Sequence, residues 1–133
     1  MSRDLENNVS AVQSLAPAAR TAAADGVGVD LANYNSAMVI IEAGTATGTT
    51  PSFEFEVQES DLSGSGYTAV ATADLDGAEP TVTTANDEAV YEIGYRGIKR
   101  YLRVINKTPG GTATPTLPCS ALVLRGSPRV APK

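Results

Sequence analysis

The residues best placed to do chemistry stand together in Tyr95-Arg96-Gly97-Ile98-Lys99-Arg100-Tyr101-Leu102-Arg103, with Lys107 just beyond. Cations interleaved with tyrosines can grip phosphates while rings stack on bases. They can also pair with carboxylates, for which the planar fork of arginine is suited. Two features argue against nucleic acid. Strand alternation splits these cations between two faces, and the chain as a whole is acidic. The expected use is a cross-strand ladder of cations against Glu54, Glu56, Glu59 and Glu92, within the domain or across a subunit interface. Recognition of a different protein is the second reading, and nucleic acid the third. The candidate interface residues are Arg96, Lys99, Arg100, Tyr101 and Arg103, with Arg129 from the basic tail.

Other chemistry is poorly provided for. The chain holds no histidine, which removes the commonest general base, the commonest metal ligand and the Ser-His-Asp and Cys-His arrangements together. Cys119 is the single cysteine, so no internal disulfide or multi-cysteine metal site can form. It opens the apolar run Cys119–Leu124 and is expected to be a small buried hydrophobe. Glu54 and Glu56 lie two apart on an extended run, roughly 7 Å from each other. That spacing suits an ordinary half-exposed strand as well as it suits glycoside chemistry. Asp74 and Asp76 make a fragment of a calcium loop, but Ala85 stands where the twelfth-position glutamate belongs. Gly64-Ser65-Gly66 lacks the downstream glycine and lysine of a phosphate loop. The expectation is a protein that is not an enzyme, with no catalytic, cofactor-binding or metal-ligating residues.

Charge is divided along the chain. Residues 1–92 hold all 15 acids and only Arg3 and Arg20 among the bases; residues 93–133 hold the other eight bases and no acid. The net −5 therefore conceals a dipolar chain. At 133 residues one domain is expected, with a core large enough to stand without staples. With no Trp and two Phe among 133 residues, that core must be built from Val, Ile, Leu and Ala. No basic leader precedes an apolar run, and no apolar stretch nears the ~20 residues of a membrane helix. A soluble chain that does not follow the general secretory route is expected.

The elements that must position the basic stretch are strands. Residues 1–16 suggest an extended N-terminal arm, with a short helix ending before Pro17 as the rival. Asp25-Gly26 lies between Arg20–Ala24 and Val27–Leu31 and predicts a hairpin turn. Ser36–Ala43 is almost continuously apolar and β-branched, which predicts a central strand buried on both faces. Gly44–Pro51 has loop composition. Phe53–Ser60 alternates cleanly, with Phe53, Phe55 and Val57 inward and Glu54, Glu56 and Gln58 outward. A short strand is expected at Tyr67–Ala71, an acidic loop at Asp74–Pro80, and a strand at Ala89–Tyr95. Arg96–Lys99 then turns the chain and Arg100–Asn106 leads back, with Leu102 and Val104 on one face. Pro109-Gly110-Gly111 predicts a turn, Thr114–Pro118 a loop or sheet edge, and Ser120–Arg125 a last strand. The basic tail is Gly126–Lys133. Short strands, many turns and no convincing helix indicate an all-β fold, a single β-sandwich or jelly-roll-like domain over residues 17–133.

The chain also resembles a group of small virion structural proteins of tailed bacteriophages, the head decoration or minor capsid proteins. The residues that carry the resemblance are Val29-Asp30-Leu31 followed by Tyr34 and an apolar strand, then Phe55-Glu56-Val57-Gln58-Glu59-Ser60. Gly94-Tyr95-Arg96-Gly97-Ile98-Lys99-Arg100-Tyr101-Leu102-Arg103-Val104 and Gly126-Ser127-Pro128-Arg129-Val130-Ala131-Pro132 complete it, so that it covers nearly the whole chain. The resemblance implies a β-rich protein, made in the host cytoplasm, that binds the outside of a capsid and stabilises it. The implied partners are the major capsid protein and further copies of the chain, often as a trimer, with no nucleic acid and no membrane. No catalytic residue is implied. Under it, the arm and the basic tail reach neighbouring subunits or the shell, and the acidic loops face outward. The alternative from another class is a free β-sandwich binding module for carbohydrate or adhesion; such modules commonly use exposed Trp, and the chain has none.

Overall fold

The computed structural model describes residues 5–129. Eleven strands are described: β1 (Val9–Arg20), β2 (Ala24–Asp25), β3 (Val29–Asp30), β4 (Tyr34–Ala43), β5 (Thr47–Ser60), β6 (Thr68–Ala69), β7 (Leu75–Asp76), β8 (Thr81–Val82), β9 (Ala89–Tyr95), β10 (Tyr101–Asn106) and β11 (Gly110–Pro128). Every pairing between them is antiparallel. The fold is all-β and sandwich-like, one curled sheet folded into two layers. The first layer runs β1-β11-β4-β9-β7. The second is built on β5 and β10, with β2 and β3 along the free edge of β10 and with β6 and β8 on β5.

The alternation expected of the clearest strands is what fills the core. Phe53, Phe55 and Val57 of β5 are fully buried, as are Leu102 and Val104 of β10. They meet Val39 and Ile41 of β4, Ile93 of β9, and Leu117, Ala121 and Val123 of β11. Each such Val, Leu, Ile or Phe contributes about 1.5–3 kcal/mol when removed from water. Cys119 is buried among them, and burial pushes its thiol up from the ordinary range.

Several expectations are corrected. Asp25-Gly26 is not a hairpin turn: β2 and β3 both pair with β10, in line along its edge. Gly26 is there for closeness. A Cβ at this position would lie 2.4 Å from the Val104 carbonyl oxygen and 2.5 Å from Ser14 Oγ. Gly44–Pro51 is a loop only in its first part, because residues 47–51 belong to β5. The turn expected at 109–111 gives way from Gly110 to β11, which also takes in residues 114–118, expected as a loop or sheet edge. β11 pairs there with β5 through Gly110↔Ser52, Thr112↔Thr49 and Thr116↔Thr47. This ribbon tolerates loop-like composition because it is irregular. Gly48, Thr50, Gly111, Ala113 and Thr114 all take positive φ within it, where glycine is at no disadvantage.

Residues 9–16 are part of β1, paired with β11, and the boundary drawn after residue 16 falls inside that strand. Pro17 is accommodated at a shift of register between Leu15 and Ala18, one of the few places where a strand accepts proline. A second shift, between Gln13 and Leu15, turns two successive side chains inward, so that Ser14 and Leu15 are both buried. The outermost residues of the expected arm and tail, 1–4 and 130–133, lie outside the described residues. β9 and β10 do not pair, although the sequence suggested that one leads back beside the other. β9 lies against β4 and β10 against β5, so Arg96–Arg100 crosses between layers.

The last correction concerns β4. Its expected burial on both faces holds for one face only: Val39 and Ile41 are fully buried, while Met38 and Ile40 retain intermediate exposure.

Candidate interaction site

The crossing segment after β9 is held by Tyr95. Its Oη donates to Glu59 Oε1 at 2.6 Å and accepts from the Lys99 amide at 3.2 Å. Burial, then the Glu59 carboxylate, raises the phenol well above its ordinary range. Gly97 lets the ring lie close, since a Cβ there would stand 2.3 Å from Tyr95 Oη. With residues 95 and 99 tied together, Ile98 is left standing out of the surface at 96% exposure.

The second wall comes from the segment before β4. Asp30 Oδ1 accepts from the Ala32 amide at 2.9 Å, a side-chain turn that leads to Asn33 at φ 72°. Asparagine tolerates that conformation better than most residues. Arg100 grips the same carboxylate from the other side, Nε to Oδ1 at 3.0 Å and a terminal nitrogen to Oδ2 at 2.9 Å. This bidentate bond holds the Asp30 carboxyl below its usual range, against a smaller opposing effect of burial. Arg125 braces the wall from behind, lying 4.5 Å from the Tyr34 ring centre and donating to the Asp30 carbonyl at 3.0 Å and to Ser10 Oγ at 2.8 Å.

Between the walls is an open groove of about 480 Å³. Lys99, Arg100 and Arg129 line it with Tyr34, Tyr95 and Ile98, and no carboxylate is among its lining residues. Arg129 donates to Asn35 Oδ1 at 3.2 Å and has no carboxylate partner among the described residues. The groove thus gathers three of the six expected interface residues. The other three stand elsewhere. Arg96 pairs with Asp76 at 3.2 Å. Arg103 lies 4.1 Å from the Tyr67 ring centre and donates twice to Gln58 Oε1, its directly opposite residue on β5. Tyr101 begins β10 with Arg100 5.3 Å from its ring centre.

The expected Arg–Glu ladder is therefore only partly formed. Lys107 meets Glu54 at 3.0 Å and Glu56 at 3.5 Å, but Arg96, Lys99 and Arg100 take aspartates, Lys99 pairing with Asp61 at 2.9 Å, and Arg103 takes Gln58. Glu59 is spent on Tyr95. Sequence reasoning missed Asp30, Asp61 and the Asn33–Asn35 wall. The signal available was a lone acid, Asp30, in the otherwise apolar run Val27–Leu31. The site is a cationic groove with aromatic and amide walls and an apolar tip. No protein-family model and no curated protein matches this chain.

Proposed function

We propose that this chain is a bacteriophage virion structural protein, a decoration or minor capsid protein that binds the outside of the head lattice and stabilises it as a homo-oligomer. The sequence resemblance supplies the class. The observation that carries the reading is the positive charge gathered at one end of the sandwich, in the groove of Lys99, Arg100 and Arg129. Lys99 and Arg100 each meet one aspartate outside the groove lining, and Arg129 has no carboxylate partner among the described residues. The same end is where β1 begins opposite Gly126 and where β11 runs out beside Tyr34. The groove, the start of β1 and the close of β11 thus share one end, an arrangement suited to a subunit that ties itself to neighbours. Electrostatic complementarity of this kind sets orientation and partner choice more than raw affinity.

The test is immunogold electron microscopy of intact particles from the phage that carries the gene, with antibody to the purified chain. Gold spread over the heads is the expected result. Gold confined to tails or one vertex moves the protein to another part of the virion, and gold absent from all particles overturns the reading. A carbohydrate-binding module is the second reading, favoured by Tyr34 and Tyr95 beside Asn33 and Asn35 in the groove. A glycan array with no hits at micromolar affinity removes it.

A further inference from the structure

Strands with one buried face ordinarily alternate, apolar inward and polar outward. The centre of the first layer does not. Leu122 and Leu124 on β11 lie in register with Ile40 and Met38 on β4, and all four have intermediate exposure while the residues between them are buried. None belongs to the core cluster or packs against it. The second layer covers the opposite side of these strands. Val90 on β9 extends the patch at 57% exposure. Contiguous outward apolar surface of this kind marks an interaction face.

The margin of this face is acidic. Glu42 lies in register with Val90, and Glu92 with Ile40; neither carboxylate has a cation partner among the described residues. Beside them a shallow hollow of about 460 Å³ is lined by Glu42, Glu88, Val90, Pro17 and Pro118, with no cation in its lining. The Ile98 tip presents the converse: an exposed apolar side chain with Arg96, Lys99 and Arg100 in the same loop. The hollow sits at the Ala43 end of β4, and the groove beside the tip at the Tyr34 end.

We propose that the outer β11–β4–β9 face is the seat for the Ile98 tip of a second copy of this chain. The inference rests on the self-associating part of the reading above, and not on the capsid. Charge complementarity selects the occupant: carboxylates with no cation partner among the described residues rim the seat, cations flank the tip, and both belong to the same chain. The cations flanking the tip each meet one aspartate of their own chain, stay 40–64% exposed and keep donors for a second carboxylate. Because seat and tip differ, the contact is heterologous, joining copies head to tail into a ring if the rotation closes.

The experiment is sedimentation velocity and light scattering on the full chain and on two variants, Ile98→Asp for the tip and Ile40→Lys for the seat. Val90→Lys serves as a second seat variant if Ile40→Lys proves poorly folded by circular dichroism. Wild type is expected to associate, and each variant to do so at least about tenfold more weakly. An equimolar mixture of tip and seat variants should recover a 1:1 dimer, because one intact tip and one intact seat remain. A monomeric wild type overturns both this contact and self-association. An Ile98→Asp variant that associates like wild type, or a mixture that stays monomeric, overturns this contact and leaves self-association standing; neither outcome bears on gold labelling of heads.

Discussion

Ser14 Oγ, on β1 in one layer, accepts a hydrogen bond at 3.1 Å from the amide of Val104, on β10 in the other. The same hydroxyl donates to the Val27 carbonyl at 2.8 Å, and the Val27 amide returns a bond to the Ser14 carbonyl at 2.6 Å. Gly26 completes the node by donating to the Val104 carbonyl at 2.9 Å. One buried serine therefore closes the open side of the sandwich.

Ser14→Ala removes the acceptor and the donor together and leaves the buried Val104 amide and the part-buried Val27 carbonyl without this partner. The expected loss is about 1–3 kcal/mol, read from the urea midpoint with an unchanged slope. A midpoint within error of wild type would show that the node is dispensable.

Tyr95→Phe keeps the ring and deletes the bonds to Glu59 and to the Lys99 amide. The groove wall should loosen without global unfolding. Amide hydrogen exchange should quicken at Lys99 and its neighbours, with stability lower by about 1 kcal/mol. Unchanged exchange across residues 96–100 would mean that the loop is held some other way.

Asp30 makes stability depend on pH in one direction. Its carboxyl is held below 3.8 in the folded chain, chiefly by Arg100. The contribution is present above the unfolded value and lost as pH falls through the folded one. The side chains of Asp30 and Arg100 are 40% and 55% exposed, so solvent screening keeps the effect below about 1 kcal/mol. Asp30→Asn retains the acceptor for the Ala32 amide and deletes the charge. It should flatten the acid limb of a stability profile at low salt, and an unchanged limb would contradict the assignment.

Glu79 acts in the opposite direction. Its carboxylate accepts from the Val57 amide at 2.5 Å, occupying a place between β8 and β6 where no strand pairs with β5. Burial raises its carboxyl above 4.5, and the nearby Glu56 and Glu54 add to the rise against the bond from Val57. A raised acid stabilises the fold below its unfolded value, and that contribution is lost as pH rises through the folded value. Glu79→Gln keeps an acceptor and cannot ionise. It should lose this slope and be no less stable than wild type at pH 7; a variant that keeps the slope would place its source elsewhere.

Alternation in the chain was enough to set β9, β10 and the second half of β5, to put Phe53, Phe55 and Val57 on a core face and to place Leu102 and Val104 together on one face, because the side-chain period of a strand is local. Absence of histidine and a lone Cys119 likewise bounded the chemistry without reference to any fold. Pairing is not local, and there the sequence fell short. Asp25-Gly26 carries the same two letters whether the chain turns back or runs on along β10, and only the nearness of Ser14 and Val104 shows why glycine stands there. The basic stretch announced its cations but not their partners, since Asp30 and Asp61 reach Arg100 and Lys99 only once β3 and the end of β5 lie beside them. The apolar run through Met38 and Ile40 asked for burial on both faces. The tertiary structure alone decided that a single chain has layers enough to cover only one.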